Sequence, residues 1–293
     1  MISGWIDRNI RYIFSLPAVI FVALMVVFPL CYTAWLSLHE WSMSGTTPPL
    51  WVGLDNYISL MGDSRFWLSA WRTIYFSFGV IIVETVLGVG LAVFLNRSFR
   101  FKNVVKTLFL LPMVSTPVAI AMVWMLIYEP TVGFANFFLG KLGIEPQAWL
   151  TSSDTVMPSL MLVDVWEWTP MITLIVLAGM TTLPSDPYES AVVDGASKWQ
   201  TFWHITIPML MPTIIVAMLL RMIDALKTFD LIYATTQGGP GNSSETLNTY
   251  GYLLGFNYFK VGMGSALIIM FLLLVALISL LFVYVRKKAG EML

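Results

Sequence analysis

Residues 12–38 read YIFSLPAVIFVALMVVFPLCYTAWLSL and contain no charged side chain. A helical residue adds ~1.5 Å, so about 20 apolar residues cross the ~30 Å hydrocarbon core of a bilayer. The run is too long for the apolar core of a signal peptide and lacks a small-x-small cleavage site, so it is expected to be retained as a first membrane span. Further apolar runs follow at residues 73–95, 107–128, 156–181, 208–230 and 261–285. The expectation is an all-α integral membrane protein of about six spans, forming one transmembrane domain over residues 1–293.

Composition agrees with that class. Hydrophobic residues make up 58% and charged residues 11%, against ~45–50% and ~25% in soluble domains. The formal net charge of −1 offers no basic footprint for nucleic acid. Cys31 is the single cysteine and lies in an apolar run, so one chain can build neither a disulfide framework nor a cysteine metal site. His39 and His204 have no acidic or cysteine neighbours at ligand spacing and are read as polar boundary positions, with no metal.

Orientation follows from where lysine and arginine collect. Arg8 and Arg11 precede the first run, Arg97, Arg100, Lys102 and Lys106 separate the second and third, Lys198 lies between the fourth and fifth, and Arg286-Lys287-Lys288 follow the last. These segments and both termini are expected to face the cytoplasm. The opposite loops, residues 39–71, 129–155 and 231–260, are rich in Trp, Pro, Gly and acids. They suit either an external surface where proteins and solutes arrive or plain solvated connectors.

The loop at residues 183–207 carries the strongest local signals. Asp186 can cap a first helix, with Pro187 at its first position and Glu189 placed for a capping box. Gly195 can end that helix in a left-handed conformation. Ser197 and Gln200 have the spacing of a second capping box, so another helix can start at once and run towards Pro208. Ala191 and Val192 leave a small, smooth surface beside Glu189 and Asp194, suited to docking in a groove of another protein, although local capping explains the acids equally well.

These residues resemble the signature of the permease subunits of binding-protein-dependent ABC importers: Glu-Ala-Ala, three residues, Gly, nine residues, Ile-x-Leu-Pro. Glu189-Ser190-Ala191, Gly195 and Ile205-Thr206-Ile207-Pro208 fall at those spacings, with Asp194 and Ala196 completing an Asp-Gly-Ala core. Ser190 and Ile207 depart from the pattern but keep size and shape. Thr236-Gln237-Gly238-Gly239-Pro240 and Val52-Gly53-Leu54-Asp55-Asn56-Tyr57 resemble loops of the carbohydrate group of these permeases, related to maltose and glycerol-phosphate uptake systems.

The resemblance implies a type I importer permease in a bacterial inner membrane. It implies a second homologous permease, a dimer of ATPase subunits that uses ATP and Mg, an extracytoplasmic solute-binding protein, surrounding lipid and a carbohydrate-like cargo. Residues 187–205 would be the coupling helices: Glu189 would pair with a basic residue of the ATPase, Gly195 would set the bend, and Ala191 and Ala196 would permit close approach. The chain has no Gly-x-x-x-x-Gly-Lys-Ser/Thr loop, so it is not expected to bind ATP or to be an enzyme.

Ionisable residues within apolar runs are the pathway candidates. Arg221, Asp224, Lys227 and Asp230 recur every three residues and either pair along one helix or, through Asp224, Lys227 or Thr228, touch solute; Lys227 would also suit an anionic sugar derivative. Trp166, Glu167 and Trp168, with Asp164, set indoles and carboxylates within two turns, as either a sugar-stacking surface or an interfacial aromatic belt. Glu84 is read as an inter-helix bonding residue and Glu129-Pro130 as a helix terminator. An ion-coupled secondary carrier is the rival reading; the absence of an evident internal repeat weakens it. A membrane-embedded enzyme would need a clustered nucleophile and base, which the sequence lacks.

Overall fold

The computed structural model describes residues 2–43 and 48–290. Its helices are α1 (Ile2–Ser37), α2 (Asp55–Met61), α3 (Ser64–Asn96), α4 (Lys102–Val114), α5 (Pro117–Ile127), α6 (Phe134–Lys141), α7 (Val156–Met180), α8 (Asp186–Val193), α9 (Lys198–Thr201), α10 (Ile207–Leu226), α11 (Asp230–Thr235), α12 (Leu247–Tyr252) and α13 (Val261–Gly290). A two-residue hairpin pairs β1 (His39–Glu40) with β2 (Leu50–Trp51).

Among the described residues, five helical stretches are long and apolar enough to cross a bilayer: Ser15–Ser37, Ser64–Asn96, Val156–Met180, Lys198–Thr235 and Val261–Lys288. A sixth is broken. Residues 107–128 were expected to be one span, but α4 and α5 meet at a bend of 98°. Ser115 and Thr116 are extended, because a residue preceding proline, here Pro117, is sterically driven out of the helical region. The fifth span also departs from its expected limits of 208–230. Helix begins at Lys198, passes through a wide π-turn at Phe202–Thr206 and stops at Leu226. The wide turn lies just before Pro208, whose ring lacks an N–H and crowds the carbonyl four residues earlier. At the far end, Asn248 Nδ2 donates to the Lys227 carbonyl at 2.8 Å, satisfying an acceptor that the helix end leaves open.

The chain divides into two compact units, Met1–Phe66 with Gly251–Leu272 and Trp67–Tyr250 with Leu273–Leu293. In the first, buried Asn56 donates to the carbonyls of Ser37 and His39 at 2.9 and 3.0 Å, and Tyr57 Oη lies 2.7 Å from Ser37 Oγ. The Asp55-Asn56-Tyr57 phrase thus fastens the end of α1. The His39 ring is buried, with Nδ1 2.7 Å from the Trp35 carbonyl oxygen. Only 6% of the apolar window in Ser15–Ser37 is buried, so this helix needs lipid or another chain around it.

The core of the second unit is where α3, α7 and α10 meet, around Val89, Ala92, Ile172, Val176, Leu210 and Ile214. Gly88 makes that approach possible: a β-carbon there would lie 2.8 Å from Ile172 Cγ2. Without a hydrophobic drive between helices in lipid, such close van der Waals fit carries the association. The Gly-Gly-Pro segment is pinned rather than free. Ser244 Oγ donates to the Gly239 carbonyl at 2.6 Å, buried Glu245 accepts from Ser69 Oγ at 3.0 Å, and Leu247 N donates to Thr73 Oγ1 at 2.9 Å.

Candidate functional site: a coupling corner and a charged cavity

The loop between α7 and α10 folds as a corner of two short helices. Its first cap differs from expectation: α8 starts at Asp186 itself, with Ser185 as the flanking residue and no side-chain cap bond from Asp186 or Glu189. Ser185 keeps helical dihedrals, so no side chain is turned back onto the first amides. The far end is closed by backbone. Gly195 has φ +72°, the Ala196 N–H donates to the Ala191 carbonyl at 2.9 Å, and the Gly195 N–H donates to the Val192 carbonyl at 3.1 Å. This pair of bonds is a Schellman motif. Ser197 then caps α9 in a reciprocal box: Gln200 N donates to Ser197 Oγ at 3.3 Å and Ser197 N donates to Gln200 Oε1 at 2.8 Å. Tyr188 Oη donates to Thr206 Oγ1 at 3.2 Å, tying the two arms together.

The corner presents a different surface from the one expected. Ala191 turns inward and is 7% exposed, while Val192 and Val193 are 77% and 87% exposed, and Trp199 in the second arm is exposed too. Glu189 and Asp194 remain exposed. The concave side, about 390 Å³, is lined by Asp194, Gly195, Ala196, Gln200, His204 and Ile205. Pro208 lies beyond it in the first turn of α10.

A second cavity of about 270 Å³ lies among α7, α10 and α11, with Pro117 of α5 on its wall. Glu167 and Trp168 come from α7, Asp224 from α10, and Lys227 and Thr228 from the break after it; Asp230 opens α11. Trp166 stands outside this lining: it is half exposed and packs edge-on against Trp124, with centroids 5.6 Å apart. Lys227 Nζ is 3.4 Å from Asp224 Oδ1, both side chains about half exposed.

Arg221 does not join that pairing along the helix. It is fully buried and reaches across to two other helices: Nε lies 2.9 Å from Glu84 Oε2 on α3, and Nη2 donates to Asp164 Oδ2 on α7 and to Glu84 Oε1 at 3.1 Å. Its guanidinium also lies 5.2 Å from the centre of the Trp168 ring. A buried guanidinium needs desolvated partners, and Asp224, half exposed, is the poorer one. The inter-helix role expected for Glu84 is thus the one observed. Glu167 is 1% exposed, and its Oε1 takes no hydrogen bond among the described residues.

Sequence reasoning missed the wall residues Pro117, Phe229 and Leu231. Pro117 carried the only signal, a helix break that admits α5 to the cavity. Glu129 behaves as a terminator: the backbone N–H of Val132, the Thr131 hydroxyl and the Thr131 N–H all donate to it, and these bonds hold its carboxyl below the usual carboxylate range.

Both the corner and the cavity fall inside residues 84–290, the stretch matched by the sequence model of the binding-protein-dependent transport system inner membrane component. The chain belongs to that family. It is a multi-pass inner-membrane component, similar along nearly its whole length to curated relatives. It is 36% identical over 288 residues to the trehalose/maltose transport system permease protein MalF of Thermococcus litoralis, covering 97% of this chain and 95% of the relative. It is 30% identical to the trehalose transport system permease protein SugA of Mycobacterium tuberculosis, covering 96% and 90%. The fold matches a chain in the crystal structure of a bacterial ABC transporter involved in the import of the acidic polysaccharide alginate, with a TM-score of 0.84, 23% identity and 98% of each chain covered. This inner-membrane component therefore has the fold of an ABC importer permease.

Proposed function

We propose that this chain forms half of the translocation pathway of an ATP-driven importer for a sugar, polyol or sugar derivative. A second, homologous permease supplies the other half, a separate ATPase dimer hydrolyses ATP with Mg on the cytoplasmic side, and an extracytoplasmic binding protein delivers the cargo. Both termini and the 183–207 corner face the cytoplasm, where lysine and arginine concentrate. The observation that carries the reading is the corner itself. Its helices are closed by their own backbone and side-chain caps, so the exposed Val192, Val193 and Trp199 stand on a rigid element with no hydrophobic cover. A cleft in the ATPase is the cover that the family signature implies. Glu189 pairs with a basic residue there, and Asp194, Gly195, Ala196 and Ile205 line the concave side that receives the partner.

In the mechanism, closure of the ATPase pulls the corner. The motion passes through Pro208 into α10, a continuation of the same helical run, and reaches the cavity that α10 helps to wall. There Glu167, Asp224 and Thr228 offer hydrogen bonds to cargo hydroxyls, Lys227 offers a donor, and Trp168 an aromatic surface for a sugar ring. The names of the relatives support the carbohydrate class. The test is uptake and ATP hydrolysis in vesicles that hold this chain, its permease partner, ATPase and binding protein. Hydrolysis stimulated by loaded binding protein and lost in Glu189→Ala is the expected result. Uptake by this chain alone, driven by an ion gradient, overturns it.

A further inference from the structure

The charges around the cavity do not balance, and each of its two cations already lies against a carboxylate. Asp164, Glu167, Asp224 and Asp230 face Arg221 and Lys227 across the lining. Arg221 is already shared between Asp164 and Glu84, and Lys227 lies against Asp224. By formal charge the lining carries two more carboxylates than cations, before Glu84 is counted. Glu167 adds to that excess: its side chain is only 1% exposed, in the cavity wall, and its Oε1 takes no hydrogen bond among the described residues. A buried acceptor without a donor is destabilised relative to the same group with one, and a carboxylate neighbour repels any negative charge brought beside it, more strongly the less water lies between them.

We propose that Glu167 and Asp224 give this half of the pathway its charge selectivity: it accepts neutral polyhydroxylated solutes, whose hydroxyls donate to these carboxylates, and turns away sugars that carry a carboxylate or another fixed negative charge. The proposal rests on the cavity being part of the sugar pathway. Lys227, which the sequence alone offered to an anionic sugar, is occupied by Asp224. Its first effect is to neutralise that carboxylate, so removal of Asp224 frees a cation at the cavity mouth. Glu167 acts differently: it makes no ion pair among the described residues, and its ionised form repels an anion directly.

The experiment uses the permease pair with its ATPase in lipid nanodiscs, with the binding protein left out so that only the pathway discriminates. Equilibrium binding is measured for two matched pairs of probes, maltitol with maltobionate and sorbitol with gluconate, in which the second member carries a carboxylate in place of one terminal hydroxymethyl group. The expected result is that the neutral member of at least one pair binds about tenfold or more tightly than its acid, and that Glu167→Gln, which keeps shape and removes charge, narrows the gap by about tenfold. Asp224→Asn, at a half-exposed position, narrows it in the same direction and keeps the test decisive if the Glu167 variant fails to assemble. Equal binding of acid and neutral probes, or a gap unchanged in the variants, overturns the charge selectivity while leaving the sugar pathway standing. Binding of none of the four overturns the pathway reading, and the selectivity with it.

Discussion

Arg221 on α10 and Asp164 on α7 form an ion pair in which neither side chain is more than 2% exposed, and Glu84 on α3 closes the other side of the same guanidinium. Three helices are thereby joined at one buried point beside the cavity. Removing one member of such a set leaves uncompensated charge, at a cost of about 3–5 kcal/mol. Arg221→Leu is expected to abolish assembly, or to lower the thermal midpoint in detergent more than any other single change named below. The triple change Glu84→Leu, Asp164→Leu, Arg221→Leu should recover much of the loss, because no charge is then stranded. A triple variant no better than Arg221→Leu would show that the residues act separately.

The corner depends on one backbone conformation. Gly195 has φ +72°, and a β-carbon there meets nothing within 4 Å, so the penalty for substitution is conformational alone. An L-residue in the left-handed region costs roughly 1–2 kcal/mol. Gly195→Ala should therefore fold and assemble but couple poorly, Gly195→Asn should fall between the two, and Gly195→Val should be worst. The readout is ATP hydrolysis stimulated by loaded binding protein, with complex yield as the control. An alanine variant that matches glycine in both would remove the left-handed turn from the account.

The second arm is fixed by the Ser197–Gln200 box. Loss of an N-cap serine typically costs ~1 kcal/mol. Ser197→Ala is expected to raise amide hydrogen exchange at Gln200 and Thr201 by roughly fivefold, and Ser197→Asp to preserve protection. Unchanged exchange in the alanine variant would mean that the π-turn and α10 alone hold the arm.

Gly88 and Ile172 set the spacing of α3 and α7. A β-carbon at 88 would come within 2.8 Å of Ile172 Cγ2, and overpacking of this kind costs about 1–3 kcal/mol. Gly88→Ala should lower the thermal midpoint, and Ile172→Leu combined with it should restore part of the loss, because leucine lacks the β-branched methyl Cγ2 that the new β-carbon meets. Additive destabilisation in the double variant would place the strain elsewhere.

Glu129 predicts a pH effect confined to one loop. Its folded-state pKa is depressed, first by the Val132 amide and then by the Thr131 hydroxyl. A group of this kind stabilises the loop above its unfolded pKa and loses that contribution as pH falls through the depressed folded value. Exchange protection of the Thr131 and Val132 amides should hold through neutral pH and decline only below the usual carboxylate range, and Glu129→Gln should abolish the dependence. An unaltered profile in that variant would rule out the carboxylate.

Much of this protein is written in runs and spacings. The uncharged stretch at 12–38, the five runs after it, the bias of lysine and arginine, and the Gly195, Ser197 and Gln200 signals are local properties, set by bilayer thickness and by helix-end chemistry, and sequence determines them directly. Pro117 and Pro208 were visible too, but their effect was not, because whether a proline bends, widens or merely starts a helix depends on what the neighbouring turns can pair with. The partner of Arg221 was decided only by tertiary structure. At three-residue spacing Asp224 is the nearer choice along the chain, yet burial strips water from Arg221 and makes the desolvated Asp164 and Glu84, 57 and 137 positions away, the carboxylates that compensate it. The same packing turned Trp166 away from the cavity and left Glu167 in its wall, its Oε1 without a donor among the described residues, since which side of α7 faces α10 is fixed by close approaches such as Gly179 against Thr213 rather than by any pattern in the Asp164–Trp168 stretch.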